Sequence, residues 1–196
     1  MWLSKVMMDL SVKEVALDLV DRDRLHRKLL RLFPDYPGGA PNARELMRIL
    51  FRVEAPVIYL QSAIAPISTR LPDGYTIVGT KEITSQYANV KSGSEHRFRL
   101  EANVCYRDSQ SRRRMSLDSD QELEEWLFRR GDLGGFEIVD YAAETLPPIH
   151  ARKGQFHAVR FEGVLKVKTV DSFMKALSDG IGPGKVYGLG LLSLGR

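Results

Sequence analysis

The chain has 196 residues, 43% hydrophobic and 28% charged, with a formal net charge of +4. This is enough for one large packed domain or two small ones, with a basic surface suited to an anionic partner. A single cysteine, Cys105, excludes a disulfide framework and a multi-cysteine zinc site, and the four histidines (His26, His96, His150, His157) show neither HExxH nor close pairing.

The opening MWLSKVMMDL lacks the cationic start and long apolar run of a signal peptide, and Trp2 to Met8 reads as a strand. Asp21 to Phe33 is predicted as a helix, with Leu25, Leu29, Leu32 and Phe33 at helical spacing and Pro34 as its stop. Leu46 to Val53 and Val57 to Gln61 read as a hairpin around Glu54-Ala55-Pro56, and Tyr75 to Ile83 as a further strand. A complete unit would place a second helix over Ala63 to Gly74, a stretch that Pro66, Pro72 and Gly74 weaken. Lys91 to Ser94 reads as a linker.

The order then recurs. His96 to Tyr106 alternates as a strand should, and Asp118 to Arg130 places Leu123, Trp126 and Leu127 on one helical face. Phe136 to Tyr141 and Gln155 to Val167 read as strands, Val170 to Ser178 as a helix and Leu189 to Leu194 as a last strand. Strand–helix–strand–strand–helix–strand is the ferredoxin-like plan. The expected fold is α+β, with tandem ferredoxin-like domains over residues 1–90 and 95–196, the first less regular. No run of about 18 apolar residues exists, so no membrane partner is expected and the chain reads as cytoplasmic.

Three features carry chemistry. Arg97 and Arg99 share a strand face, and Arg107, Arg112, Arg113 and Arg114 crowd a polar segment that reads as a hairpin or loop tip. Such a protrusion suits phosphate contacts or a nucleic-acid groove, against the plainer reading of a solvated loop. Gly180 to Gly190 is a glycine-rich loop centred on Lys185, following a helix and entering a strand. Its amides suit a phosphate, although a turn that ends the fold is the alternative. It is no nucleotide loop: Asp179 stands where the first glycine belongs, and Val186 where a hydroxyl belongs. His26 falls inside the apolar arc of the basic first helix, beside Leu29, Leu30 and Phe33. By geometry alone it reads first as a structural histidine and second as a proton carrier, with Asp23 one turn away to orient the ring or raise its pKa.

WLSKV, RLHRKLLRLFP, IYLQSA, RFRLEAN, FEGVL and GIGPGKVYGLGLLSL, in this order and spacing, resemble the CRISPR-associated endoribonuclease CasE family, the RNA-processing subunit of the type I-E Cascade complex. The resemblance spans the chain. It implies a protein that binds the stem-loop of a CRISPR repeat and cuts once at the 3′ base of the stem. The 2′-OH attacks the adjacent phosphate and leaves a 2′,3′-cyclic phosphate, without metal or cofactor. By the same resemblance His26 and Lys185 are the catalytic pair. Gly182 and Gly184 belong to the phosphate-binding loop, and Arg27, Arg97, Arg99, Arg107, Arg112, Arg113 and Arg114 hold RNA. The expected partners are the repeat hairpin RNA and the Cascade backbone subunit, with a monomer outside that complex.

The chain departs from its relatives at two points. Asp23 stands where some carry tyrosine and Val186 where some carry serine, leaving Tyr187 as a neighbouring hydroxyl. The residues also admit two readings without catalysis: a hairpin RNA-binding subunit, and a DNA-binding or interaction module.

Overall fold

The computed structural model describes residues 1–34, 43–152 and 154–195. Its first part holds β1 (Trp2–Met8), α1 (Lys13–Val20), α2 (Arg22–Leu30), the single-turn α3 (Ala43–Leu46), β2 (Leu50–Glu54), β3 (Val57–Ser62), β4 (Tyr75–Glu82) and the single-turn α4 (Thr84–Tyr87). The second part holds β5 (Glu95–Asn103), β6 (Cys105–Arg107), β7 (Arg114–Ser116), α5 (Asp120–Leu133), β8 (Phe136–Thr145), β9 (Ile149–Ala151), β10 (Gly154–Phe156), β11 (Ala158–Val167), α6 (Val170–Asp179) and β12 (Leu192–Leu194).

Two antiparallel four-stranded sheets result, ordered β2-β3-β1-β4 and β12-β5-β11-β8, and both are the interleaved ferredoxin-like order. The β6–β7 and β9–β10 pairs form separate hairpins. Each sheet has its own core. Val6, Met8, Ile58 and Leu60 of the first sheet bury against Leu25 and Leu29 of α2, with Val15 of α1. Phe98, Leu100, Phe161 and Leu165 of the second bury against Trp126 and Leu127 of α5 and Phe173 and Leu177 of α6. The helix-side alternation expected for β5 is therefore present, with Arg97 and Arg99 on its other face.

The elements differ from the sequence reading where local signals conflict. No helix forms over residues 63–74, where the structure has one 3-10 turn, Ser68–Arg70. Proline removes a helical donor and clashes with the preceding turn, and Gly74 adopts φ +81° against Val12 and Val15. The sequence reading does not contain the helix α1. It is short, its N-cap is Val12 with no capping side chain, and its buried Asp18 breaks the apolar pattern. The helix read as Asp21–Phe33 ends at Leu30, the strand read from Leu46 starts at Leu50, and the last strand shortens to Leu192–Leu194. The strand read as Gln155–Val167 breaks at His157 into β10 and β11. Where a cap is strong the reading fares better: Ser119 and Glu122 close a capping box at the start of α5.

The two sheets meet through polar contacts and close glycine approaches. The buried Gln61 amide donates to the Leu177 carbonyl at 2.7 Å, one of the α6 carbonyls that has no partner inside the helix. Arg52 donates to Ser193 Oγ at 2.7 Å, and Glu54 accepts from Arg52 at 2.6 Å and from Arg99 at 2.8 Å. Replacing Gln61 with Leu strands that buried carbonyl and should destabilise the fold by about 1–3 kcal/mol. Denaturant titration checks this; an unchanged midpoint would mean that water replaces the amide.

Candidate active site

Helix α2 carries His26, and its orientation is set from behind. Asp21 caps the helix, accepting from the Asp23 and Arg24 amides at 3.0 and 3.3 Å. The buried carboxylate of Asp18 in α1 accepts from Arg24 Nε at 3.2 Å, from Tyr75 Oη at 2.7 Å and from Lys28. Residues 24 and 28 lie one helical turn apart, and residue 26 is about 200° round the helix from each. The Asp18 clamp therefore turns His26 to the opposite side. There it stacks on Phe51 of β2, with planes 17° apart and centroids 6.4 Å apart.

The glycine-rich loop reaches the same aromatic ring. Gly188 has φ +87°, and a Cβ there would stand 2.9 Å from the Phe51 ring. Only glycine meets both demands without strain. The loop contains a 3-10 turn, Lys185–Tyr187, bounded by left-handed Gly184 and Gly188. Phe51 thus sits between the histidine and the loop.

Helix α2, the loop and the arginine hairpin line three separate grooves. The first is a cleft of about 680 Å³ lined by Asp21, Asp23, His26, Arg27, His150 and Arg152. Asp23 accepts from the Arg152 amide at 2.8 Å, which fastens α2 to the β9–β10 turn. The second, about 890 Å³, brings Arg113 and Arg114 of the β6–β7 hairpin segment to Gly184 and Tyr187 of the loop. Its far wall includes Cys105, Gln155 and Phe156. The third, about 330 Å³, is lined by Arg130, Lys175, Gly182 and Lys185.

Electrostatics distinguish the groups. His26 is half-buried, and its Nε2 has no hydrogen-bond partner among the described residues. Burial, and then the charge of Arg44, push its pKa down to about 4, while Asp23 pulls weakly the other way. The ring is neutral at pH 7. The sequence expectation that Asp23 raises this pKa is corrected in its net result: burial outweighs the carboxylate. Burial, with Arg44 next, also lowers the Lys185 pKa. Burial raises the Tyr187 pKa, with Asp23 adding to it and Arg152 opposing it. Tyr187 is nearly fully buried, and its ring packs on Phe156 at 4.4 Å.

The structure therefore gathers His26, Asp23 and Arg27 in one cleft, and Arg113, Arg114, Gly184 and Tyr187 in the next. Lys185 does not share the described lining of the His26 cleft; its side chain lines the third groove with Gly182. Arg107 and Arg112 are at the exposed end of the β6–β7 hairpin, where Arg107 Nε donates to the Arg112 carbonyl at 3.1 Å. Arg97 and Arg99 lie elsewhere, in a cleft of about 720 Å³ between the sheets, with Arg52, Tyr59 and Glu162. Arg99 is held there by Glu54 and Glu162. Residues the sequence reading missed are Arg44, Phe51, His150 and Arg152. None has a motif spacing to His26, and each arrives through the tertiary fold. Among the described residues no group of three His, Cys, Asp or Glu side chains could hold a metal ion, and no helix is long and apolar enough to cross a membrane.

Known proteins are similar to this chain along nearly its whole length. The CRISPR-associated endoribonuclease Cse3 of Thermus thermophilus is 30% identical, with 99% of each chain covered. The CRISPR system Cascade subunit CasE of Escherichia coli is 32% identical over 89% of this chain and 92% of that protein. The structure of Thermus thermophilus Cse3 bound to an RNA representing a pre-cleavage complex matches with a TM-score of 0.86 at 29% identity, covering 100% of this chain and 98% of that one. Residues 1–196 match the family described as CRISPR associated protein, and the chain belongs to that family.

Proposed function

We propose that this protein is the endoribonuclease that processes CRISPR precursor RNA, binding the repeat stem-loop, cutting at the 3′ base of the stem and remaining on the product as a Cascade subunit. The observation that carries this reading is a neutral His26, its Nε2 without a partner among the described residues, on a helix packed against the glycine-rich loop, which on another side lines the groove of Arg113 and Arg114. The arginine hairpin suits the phosphates of a stem, and the adjacent cleft suits the nucleotide at its base. The names of the Thermus and Escherichia relatives support both activity and assembly. On this reading the protein works in the cytoplasm, where precursor RNA is made, and residues 1–90 and 95–196 are its domains.

The chemistry follows from the protonation state. A neutral imidazole accepts a proton, so His26 takes it from the ribose 2′-OH. The O2′–P bond forms, the P–O5′ bond breaks, and the 5′-oxygen leaves with a proton from water in the open cleft. The product is a 2′,3′-cyclic phosphate. Charge building on the phosphate oxygens faces Arg27 and Arg152 in the cleft, while Gly184 and Gly182 line the two neighbouring grooves and Lys185 adds its charge from the far side of the loop. Tyr187 and Asp23 hold the walls: one packs on Phe156, the other fastens the β9–β10 turn.

His26→Ala should slow single-turnover cutting of a cognate hairpin by about 10²–10⁴-fold with near-normal binding, in EDTA as well as in its absence. Near-normal cutting would remove His26 from the chemistry. Hairpin binding without any cutting by the wild type would leave the protein a non-catalytic RNA-binding subunit.

The pH profile tests the direction of proton transfer. With the free-enzyme pKa at about 4, a base is active above that value, so kcat/KM should stay flat from about pH 5 to 8 and fall below. A tenfold fall per pH unit on raising the pH across that range would make His26 the acid instead.

Replacing Arg112, Arg113 and Arg114 together with Ala should weaken hairpin binding. The log–log salt slope should flatten by up to about one unit for each RNA phosphate that the variant no longer neutralises. An unchanged slope would show the hairpin tip to be a solvated loop.

A further inference from the structure

The proposed chemistry draws on only Gly182 and Lys185 of the third groove. This groove lies between the end of α5 and α6, and its charged lining is Arg130, Lys175, Asp179 and Lys185. Three cations face one carboxylate, and that carboxylate is already engaged: Asp179 pairs with Lys175 and stands 3.9 Å from Arg48. Arg130 lies over the Trp126 ring at 5.2 Å, and its buried Nε has no hydrogen-bond partner among the described residues. Lys185 makes no ion pair among the described residues. Burial, then Arg44, depress the Lys185 pKa against the opposing pull of Asp179 and Glu45, and burial, then Arg129, depress that of Arg130. These are cations held close together and short of counter-charge.

The position of the groove limits what brings that charge. Gly182 lines it, while Gly184, two residues on, lines the groove of the arginine hairpin. A stem resting on Arg113 and Arg114 and cut beside His26 continues past the cut as a single strand. The loop packs on α2, and its Gly182 and Lys185 line the third groove, so a strand that leaves the His26 cleft over the loop reaches that groove. A narrow groove lined with cations is how proteins follow a single-strand backbone, and the exposed Leu133 at its rim offers an unstacked base an apolar face.

Resting on the proposed function, we infer that the groove of Arg130, Lys175 and Lys185 holds the single-stranded RNA flank on the 3′ side of the cut. The flank would add affinity without entering the chemistry.

The test measures binding against salt with hairpins made uncleavable by a 2′-deoxy residue at the cut. Three RNAs are compared: the bare hairpin, the hairpin with a 3′ flank of about four nucleotides, and the hairpin with a 5′ flank of the same length. In the wild type the 3′ flank should tighten binding and steepen the log–log salt slope by about one to two units. Arg130→Gln and Lys175→Glu should each reduce that increment and leave the bare hairpin unaffected. Lys175 is 77% exposed in its side chain, so its variant reads the charge even if Arg130→Gln disturbs Trp126. An increment unchanged in both variants, or one given only by the 5′ flank, overturns the groove assignment alone. Failure of the wild type to hold the bare hairpin overturns the proposed function and the groove with it.

Discussion

Phe51 holds the site together. It is fully buried in β2, His26 lies along one part of its ring, and Gly188 approaches another so closely that no side chain fits there. The histidine belongs to the first ferredoxin-like unit and the glycine to the second. A core aromatic therefore sets the distance between the proton carrier and the loop that would face a phosphate. The neighbouring Leu50 does the same one step along, packing against Gly180. Packing at core density leaves little room for drift, and catalysis depends on placement to within fractions of an ångström.

Charge is arranged around that packing in two ways. Where it supports the fold it is paired: Asp18 with Arg24 and Lys28, Glu54 with Arg52 and Arg99, Glu101 with Arg160. Around the loop it is left short. Among the described residues His26 lacks a partner for Nε2 and Arg130 lacks one for Nε, and burial, then Arg44, depress the pKa of both His26 and Lys185. Structural pairing behind the helix and unmet cationic charge in front of it suit a protein whose missing anion is a nucleic-acid backbone. The same contrast separates Arg99, committed to two carboxylates, from Arg113 and Arg114, which open onto a groove.

The elements with strong local signals were legible from the chain alone. β1 and β5 alternate, α5 has a capping box, and α6 follows a clear apolar spacing, so these appear close to where the periodicity puts them, although the strand read as His96–Tyr106 ends at Asn103 and Tyr106 belongs to the β6–β7 hairpin. α1 was not legible, because its inward-facing polar residue, Asp18, makes sense only once Arg24, Lys28 and Tyr75 surround it. The break at His157 was also hidden, since β10 and β11 join a hairpin and a sheet through one extended-looking stretch.

For the candidate site, the sequence by itself determined the chemical kinds: a titratable imidazole on a basic helix, a glycine-rich loop with a lysine, an arginine-rich hairpin, and through their order a likeness to an RNA-processing family. Those are properties of residue type and spacing, which survive without coordinates. Only the tertiary structure decided which of them meet. It put Gly188 on Phe51 and so brought the loop to His26, set Arg152 against Asp23, turned Lys185 into a groove of its own, and left Arg97 and Arg99 in the cleft between the sheets. The reason is range. Helix and strand signals act over a few residues, whereas the contact between Asp23 of α2 and Arg152 of the β9–β10 turn spans 129 positions and exists only in the assembled fold.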